Sequence, residues 1–149
     1  MVAPHTSNWD FPLGVAAMFA LGIRVRWLGK HTLFRPPLGA LMRWLGGTPV
    51  HRTTPQRAVA EAVAAFDAHD RFILALSPEG TRRRLPAWRT GFYHIARGAG
   101  VPVLPVALDY GRRTVSLFAP VPLTGDEAAD LATLRAHFEP RMARFPAQY

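Results

Sequence analysis

Phe72-Ile73-Leu74-Ala75-Leu76-Ser77-Pro78-Glu79-Gly80-Thr81-Arg82 is the stretch on which the reading of this chain turns. Five consecutive apolar residues, Phe72 to Leu76, fit a short strand buried on both faces of a parallel sheet. Pro78-Glu79-Gly80 then reads as a turn, and Arg82 opens a run of three arginines ending at Arg84. A parallel strand needs crossover helices to cover it, and the flanking sequence supplies them.

Upstream, helical pattern over residues 8–21 precedes a strand over 24–28, and helical pattern over 38–45 precedes a strand over 48–50. Thr54 can cap the next helix and Pro55 suits its first turn, with Val59, Ala62, Val63 and Phe66 recurring on one face. Downstream, a helix over 91–97 leads to strands over 103–108 and 114–118. Thr124 with Glu127 has the spacing of a capping box for a last helix carrying Leu131, Leu134, Phe138 and Met142. This alternation predicts an α/β fold, a mostly parallel sheet with helices on both faces.

The 149 residues suit one domain, and no linker or internal repeat divides them. A hydrophobic fraction of 49% against 19% charged excludes a disordered chain. There is no cysteine, which excludes a disulfide scaffold and a cysteine nucleophile. The formal net charge is +8, and Lys30 is the one lysine among 18 basic residues, so 17 are arginines. The arginine fork matches phosphate in two-pronged fashion, so an anionic partner is expected: nucleic acid, an anionic membrane or a phosphorylated or CoA-bearing substrate.

In sheets of this kind ligands gather at strand ends and helix N-termini. Ala3-Pro4-His5-Thr6-Ser7-Asn8-Trp9-Asp10 lies at one such point. A turn there can fold the His5 ring over the Asp10 carboxylate, leaving one ring nitrogen to take a proton from a hydroxyl. The spacing equally allows Ser7 and Asp10 to act only as a capping pair that satisfies backbone amides. The segment after Leu76 has two readings as well: a solvated basic turn, or phosphate recognition by Arg82.

Together, His5-x-x-x-x-Asp10 and Ser77-Pro78-Glu79-Gly80-Thr81-Arg82 resemble the first and third sequence blocks of the glycerolipid acyltransferase family, which includes the 1-acylglycerol-3-phosphate acyltransferases. Gly46-Gly47-Thr48-Pro49-Val50-His51-Arg52 is similar to the second block and Val101-Pro102-Val103-Leu104-Pro105-Val106 to the fourth. Gly29-Lys30-His31-Thr32-Leu33-Phe34 resembles the lysine segment between the first two, and the likeness runs from about residue 3 to residue 110. His51 departs from the polar or acidic residue that many members carry before the arginine.

The resemblance implies a glycerol-3-phosphate acyltransferase-like fold. It implies transfer of a fatty acyl group from acyl-CoA or acyl-carrier protein to the hydroxyl of a lysophospholipid such as lysophosphatidic acid, in phospholipid biosynthesis. His5 would be the general base and Asp10 its orienting partner, with Ser7 as a cap. Backbone amides around Glu79, Gly80 and Thr81 would face the developing oxyanion, the Glu79 side chain would either position the acceptor or be structural, Arg82 would hold the acceptor phosphate, and Arg52 and Lys30 would assist. No bound cofactor is implied, the thioester being a co-substrate. No histidine pair has metal-ligand spacing with a supporting carboxylate, so no metal is expected.

Only Met1 to Pro4 precede His5, so a truncated first strand is expected, and the family's N-terminal membrane-associated helical region is expected to be missing from an acyltransferase domain spanning residues 1–149. The uncharged run 11–23 has 13 residues, too short to span a bilayer, and reads as a buried or interfacial helix. Trp27, Phe34, Leu38, Met42 and Trp44 lie among Arg24, Arg26, Arg35 and Arg43, a pattern suited to an anionic membrane surface. A peripheral or monotopic position on the cytoplasmic side follows from the same resemblance. His69 and His137 are expected to be exposed, and His94 to pack on the sheet beside Phe92 and Tyr93.

Two rival readings share these residues. A basic nucleic-acid-binding domain would use the same arginines, with Trp9, Trp27, Trp44 and Trp88 as stacking groups. It is not favoured, because the arginines are dispersed and no nucleic-acid-binding signature is present. An inactive member with a shortened front end is the other.

Overall fold

Strand β1 (Arg26–Lys30) pairs in parallel with β2 (Gly47–Val50) on one side and with β3 (Leu74–Ala75) on the other. The computed structural model describes residues 1–4, 7–50, 55–79 and 87–146. Trp27 stands opposite Gly47 in β2 and Ala75 in β3. Its ring meets Phe11 edge-on at 4.9 Å and Phe34 at 5.7 Å, and its Nε1–H donates to the Leu45 carbonyl at 3.0 Å. Glycine at 29 and 47 makes room for that ring, since a Cβ at either position would come within 2.6 Å of it. Leu28 packs instead with Ala62, Leu74 and Ile95. Side chains alternate along a strand, so β1 has one face toward α1 (Asp10–Ala20) and the 3₁₀ turn His31–Phe34, and the other toward α3 (Pro55–Asp67) and α4 (Gly91–Gly98).

The sheet continues past β3 through one residue. Val2 bridges Leu76 on one side and Pro105 on the other, both in parallel. Its N–H donates to Leu104 and its carbonyl accepts from Val106, each at 2.9 Å, while Met1 and Ala3 exchange bonds with Leu76. The first strand is therefore as short as the sequence led us to expect. Beyond it, β4 (Val106–Asp109) pairs antiparallel with β5 (Thr114–Leu117). Val2 is fully buried among Phe92, Tyr93, Ala96, Val103, Ala107, Leu134 and Phe138, the larger of the two core clusters.

Several elements differ from expectation for local reasons. The strand over 72–76 narrows to Leu74–Ala75 plus the Leu76 bridge, with the Ile73 carbonyl still accepting the Arg26 amide at 2.8 Å and the Phe72 ring edge-on to Phe66. β1 starts at Arg26, not Arg24. α1 ends in a Schellman motif, with Gly22 at φ +63° and the Ile23 amide reaching back to the Met18 carbonyl, and the chain needs the next residues to reach the sheet.

The last helix, α5 (Glu127–Arg135), is capped by Asp126, whose carboxylate accepts from the Ala129 amide at 3.1 Å. Thr124 instead donates its hydroxyl and amide to Asp130. Burial opposes ionisation of Asp130, but bonds from Thr124, Gly125 and Tyr93 outweigh it and hold its carboxyl below the ordinary value. α5 stops before Phe138, and Met142 falls in a separate 3₁₀ turn, Pro140–Met142. His94 is exposed, since the buried stripe of α4 is Phe92, Tyr93, Ile95 and Ala96.

α2 (Gly39–Trp44) and α1 form the apolar outside of the molecule. Asp10 is the one buried residue in α1, so its apolar run lies at the surface rather than in the core. Phe19 and Trp44 are 58% and 72% exposed, and their rings stand 5.9 Å apart, joining the two helices into one face with Leu21, Leu38 and Leu41. No helix among the described residues is long and apolar enough to cross a membrane.

Removing two methyl groups at the joint between the sheets should be costly. Val2→Ala is expected to lower the stability by about 2–3 kcal/mol in equilibrium urea unfolding, combining lost burial with a residual cavity. A loss under about 0.5 kcal/mol would mean that Val2 carries no core packing.

Candidate active site

Val2, β1, β2 and β3 run parallel, so their C-terminal ends share one edge of the sheet, where ligands of such folds collect. The chain passes from Val2 toward Pro4 and His5, β1 ends on Lys30, and β2 ends on Val50, directly before His51-Arg52. After β3 it passes through Ser77 and Pro78 to Glu79, directly before Gly80-Thr81-Arg82. Leu76 and Val2 are direct partners, so the described strand ends that precede the first and third sequence blocks lie side by side. Strands lie ~4.8 Å apart, so β1 is about 10 Å and β2 about 14 Å from Val2.

Asp10 opens α1 and is 3% exposed. Its Oδ2 accepts the Ser7 amide at 2.8 Å and its Oδ1 accepts the Tyr110 hydroxyl at 2.6 Å. The Ser7 hydroxyl, also buried, accepts from the Trp9 amide at 3.2 Å. The expected cap by Ser7 is not formed: Trp9 holds the N-cap position without a side-chain cap bond, the Ser7 hydroxyl is taken by the Trp9 amide within the preceding turn, and the Asp10 carboxylate also bonds a side chain 100 residues away. A buried carboxylate with donors on different oxygens is held in a set plane and stays a strong acceptor for a further donor such as an imidazole N–H.

Glu79 is buried, and Lys30 is exposed at the end of β1. Asp10, Glu79 and Lys30 therefore belong to one edge of the sheet. His5, Arg52, Gly80, Thr81 and Arg82 lie outside the described residues. Of the four tryptophans, Trp27 and Trp88 pack inward, Trp88 against Phe92 and Phe138.

Sequence reasoning missed Tyr110. It follows the last residue of β4, the strand beside Val2, and no spacing rule links it to Asp10; a polar aromatic just past a strand end was the only available signal. The C-terminal segment holds it there. The Tyr110 amide donates to the Met142 carbonyl at 2.9 Å, and the Arg144 guanidinium lies over the Tyr110 ring at 5.9 Å and the Trp9 ring at 5.3 Å. Pro4, Asp10, Leu108, Tyr110, Phe138 and Met142 line a small cavity at this corner. Burial, followed by the Asp10 hydrogen bond and charge, pushes the Tyr110 phenol up to about 12, against opposing effects of Arg144 and the Ser7 hydroxyl.

The family model described as Acyltransferase matches residues 1–109. The chain is 31% identical over 123 residues to the 1-acyl-sn-glycerol-3-phosphate acyltransferase of Escherichia coli (strain K12), covering 78% of this chain and 49% of that protein. It is 26% identical over 153 aligned residues to the protein of the same name from Haemophilus influenzae, covering 88% and 62% respectively. The crystal structure of the 1-acyl-sn-glycerophosphate acyltransferase from Thermotoga maritima superposes with a TM-score of 0.67 at 25% identity, over 91% of this chain and 61% of that one. The chain spans between about half and three-fifths of the length of these relatives.

The Tyr110–Asp10 contact has a direct readout. With Tyr110 labelled at its ring carbon Cζ, the phenol is expected to stay protonated past pH 10.0, its ordinary value. Asp10→Asn removes the anionic acceptor and should bring ionisation to lower pH. A phenol that titrates identically in both proteins would rule out the contact.

Proposed function

Because the chain belongs to the acyltransferase family, we propose that it transfers a fatty acyl group from an acyl-CoA or acyl-carrier-protein thioester to the free hydroxyl of a lysophospholipid, with lysophosphatidic acid as acceptor. Residues 1–149 are the acyltransferase domain in this reading, acting in phospholipid biosynthesis. The observation that carries it is the buried Asp10 carboxylate, with donors on both oxygens, beside the paired strand ends at Val2 and Leu76. A capping role alone would not require the second oxygen to take a distant phenol.

In the proposed reaction His5 accepts the acceptor hydroxyl proton while Asp10 orients its ring and stabilises the imidazolium. The hydroxyl oxygen forms a bond to the thioester carbon, giving a tetrahedral oxyanion. Backbone amides of Glu79, Gly80 and Thr81 are the proposed donors to it. The carbon–sulfur bond then breaks and the thiolate takes the proton back from His5. Atoms balance with no covalent enzyme intermediate, in keeping with a chain that has no cysteine. The thioester itself supplies the activated acyl group, so no bound cofactor or metal enters.

Arg82, six residues after the Leu76 bridge to Val2, is the proposed partner of the acceptor phosphate. Lys30 and Arg52 follow strands about 10 and 14 Å further along the edge and suit more distant anionic groups of either substrate. The exposed apolar residues of α1 and α2, with Arg24, Arg26, Arg35 and Arg43 also exposed, support docking on an anionic membrane, which this reading sets on the cytoplasmic side.

Thiol release from acyl-CoA in the presence of lysophosphatidic acid tests the chemistry. His5→Ala is expected to lower kcat by about 10²–10⁴-fold with the fold retained, and Arg82→Ala to raise the acceptor KM. Thiol release at the same rate without acceptor would overturn the transfer reading. For docking, replacing Phe19 and Trp44 together by serine is expected to weaken sedimentation with phosphatidylglycerol vesicles about tenfold or more. Equal binding by the parent and the double variant would overturn it.

A further inference from the structure

We propose that Tyr110 is a positioning residue for the acyl transfer: its hydroxyl holds the Asp10 carboxylate in the plane that orients His5, and the chain beyond β4 anchors it for that purpose. The inference rests on the general-base reading of His5 and Asp10. It extends that reading to a residue just past the 1–109 span of the family match.

The geometry is specific. Tyr110 Oη donates to Oδ1 of Asp10 at 2.6 Å while the Ser7 amide donates to Oδ2 at 2.8 Å. Two donors, one from the start of the chain and one from the far side of the sheet, leave the carboxylate little freedom to rotate. Two contacts hold Tyr110 itself: its backbone amide bonds the Met142 carbonyl, and Arg144 covers its ring. The neighbouring Asp109 accepts the Arg112 amide at 2.9 Å and pairs with Arg141 at 3.7 Å. The charged and titratable groups acting on the phenol are Asp10 from α1 and Arg144 from the C-terminal segment, with the Ser7 hydroxyl beside them. Asp109 is directed into its own turn by Arg112 and Arg141.

A donor on Oδ1 also spreads the carboxylate charge. In the proposed reaction that would lessen the stabilisation Asp10 gives to an imidazolium on His5. The raised value of the phenol agrees with this, since Tyr110 then stays a donor across the working range. Loss of the hydroxyl should loosen the base and raise its basicity together.

The test is the pH profile of kcat/KM with acyl-CoA and lysophosphatidic acid, whose acid limb reports the base in the free enzyme. Tyr110→Phe is expected to reduce kcat about three- to tenfold, to leave both KM values within about twofold, and to move the acid limb up by about half to one pH unit. Site-specific 3-fluorotyrosine at position 110 keeps the ring and strengthens the donor, and should move the limb down. In an Asp10→Asn background Tyr110→Phe should add nothing further. An unmoved acid limb in both Tyr110 variants overturns the proposal, as does a fall in kcat accompanied only by a lower Tm. If His5→Ala and Asp10→Asn retain the parental rate, the general-base reading fails. If they abolish turnover while the Tyr110 variants behave as the parent, only this inference fails.

Discussion

The backbone bonds of Val2 are the constraint on which the rest of the molecule depends. One residue, with an N–H to Leu104 and a carbonyl to Val106, joins the parallel sheet of β1, β2 and β3 to the antiparallel pair of β4 and β5. Its side chain has no exposed surface and lies among residues drawn from α4, α5 and β4. The same bonds aim the chain. They fix the direction in which the chain leaves the sheet toward Ala3 and Pro4.

Asp10 is where this constraint becomes chemistry. A carboxylate at a helix start is ordinarily accounted for by nearby amides, and the Ser7 amide plays that part here. Tyr110 makes it more than a cap, because a side chain at the end of β4 reaches the other oxygen. That reach exists because Val2 is seated between Leu76 and Pro105, which brings the end of β4 beside the start of α1. Core packing and site geometry are thus one arrangement. The C-terminal segment serves both, with Phe138 in the core and Arg144 over the rings of Trp9 and Tyr110.

Much of this was legible where the physics is local. The face of α3 through Ala62 and Phe66 and the parallel pairing of the strand ending at Leu76 follow from periodicity and crossover rules, whereas the packing of His94 on the sheet does not hold, because Phe92, Tyr93, Ile95 and Ala96 take the buried stripe of α4. Errors arose where side chains chose among competing partners. Thr124 has the right spacing to cap α5, yet Asp130, buried beside Tyr93, takes its hydroxyl and leaves the cap to Asp126. The apolar run in α1 allowed a core helix as well as an interfacial one. It lies at the surface although Phe11 packs edge-on against Trp27, which with Phe34 occupies the space over β1; Asp10 is the one buried residue of the helix.

By itself the sequence determined the α/β alternation, the single fully burial-competent run before Ser77, and the residue types at the strand ends, because helix and strand periods and turn residues are local properties. It also determined the charge, an excess of +8 carried almost wholly by arginine. Only the tertiary structure decided that Val2 joins two sheets, that α1 and α2 turn their apolar face outward, and that Tyr110 bonds Asp10. Each of those depends on groups far apart in the chain competing for one space or one acceptor, and that competition is resolved only when the whole core packs.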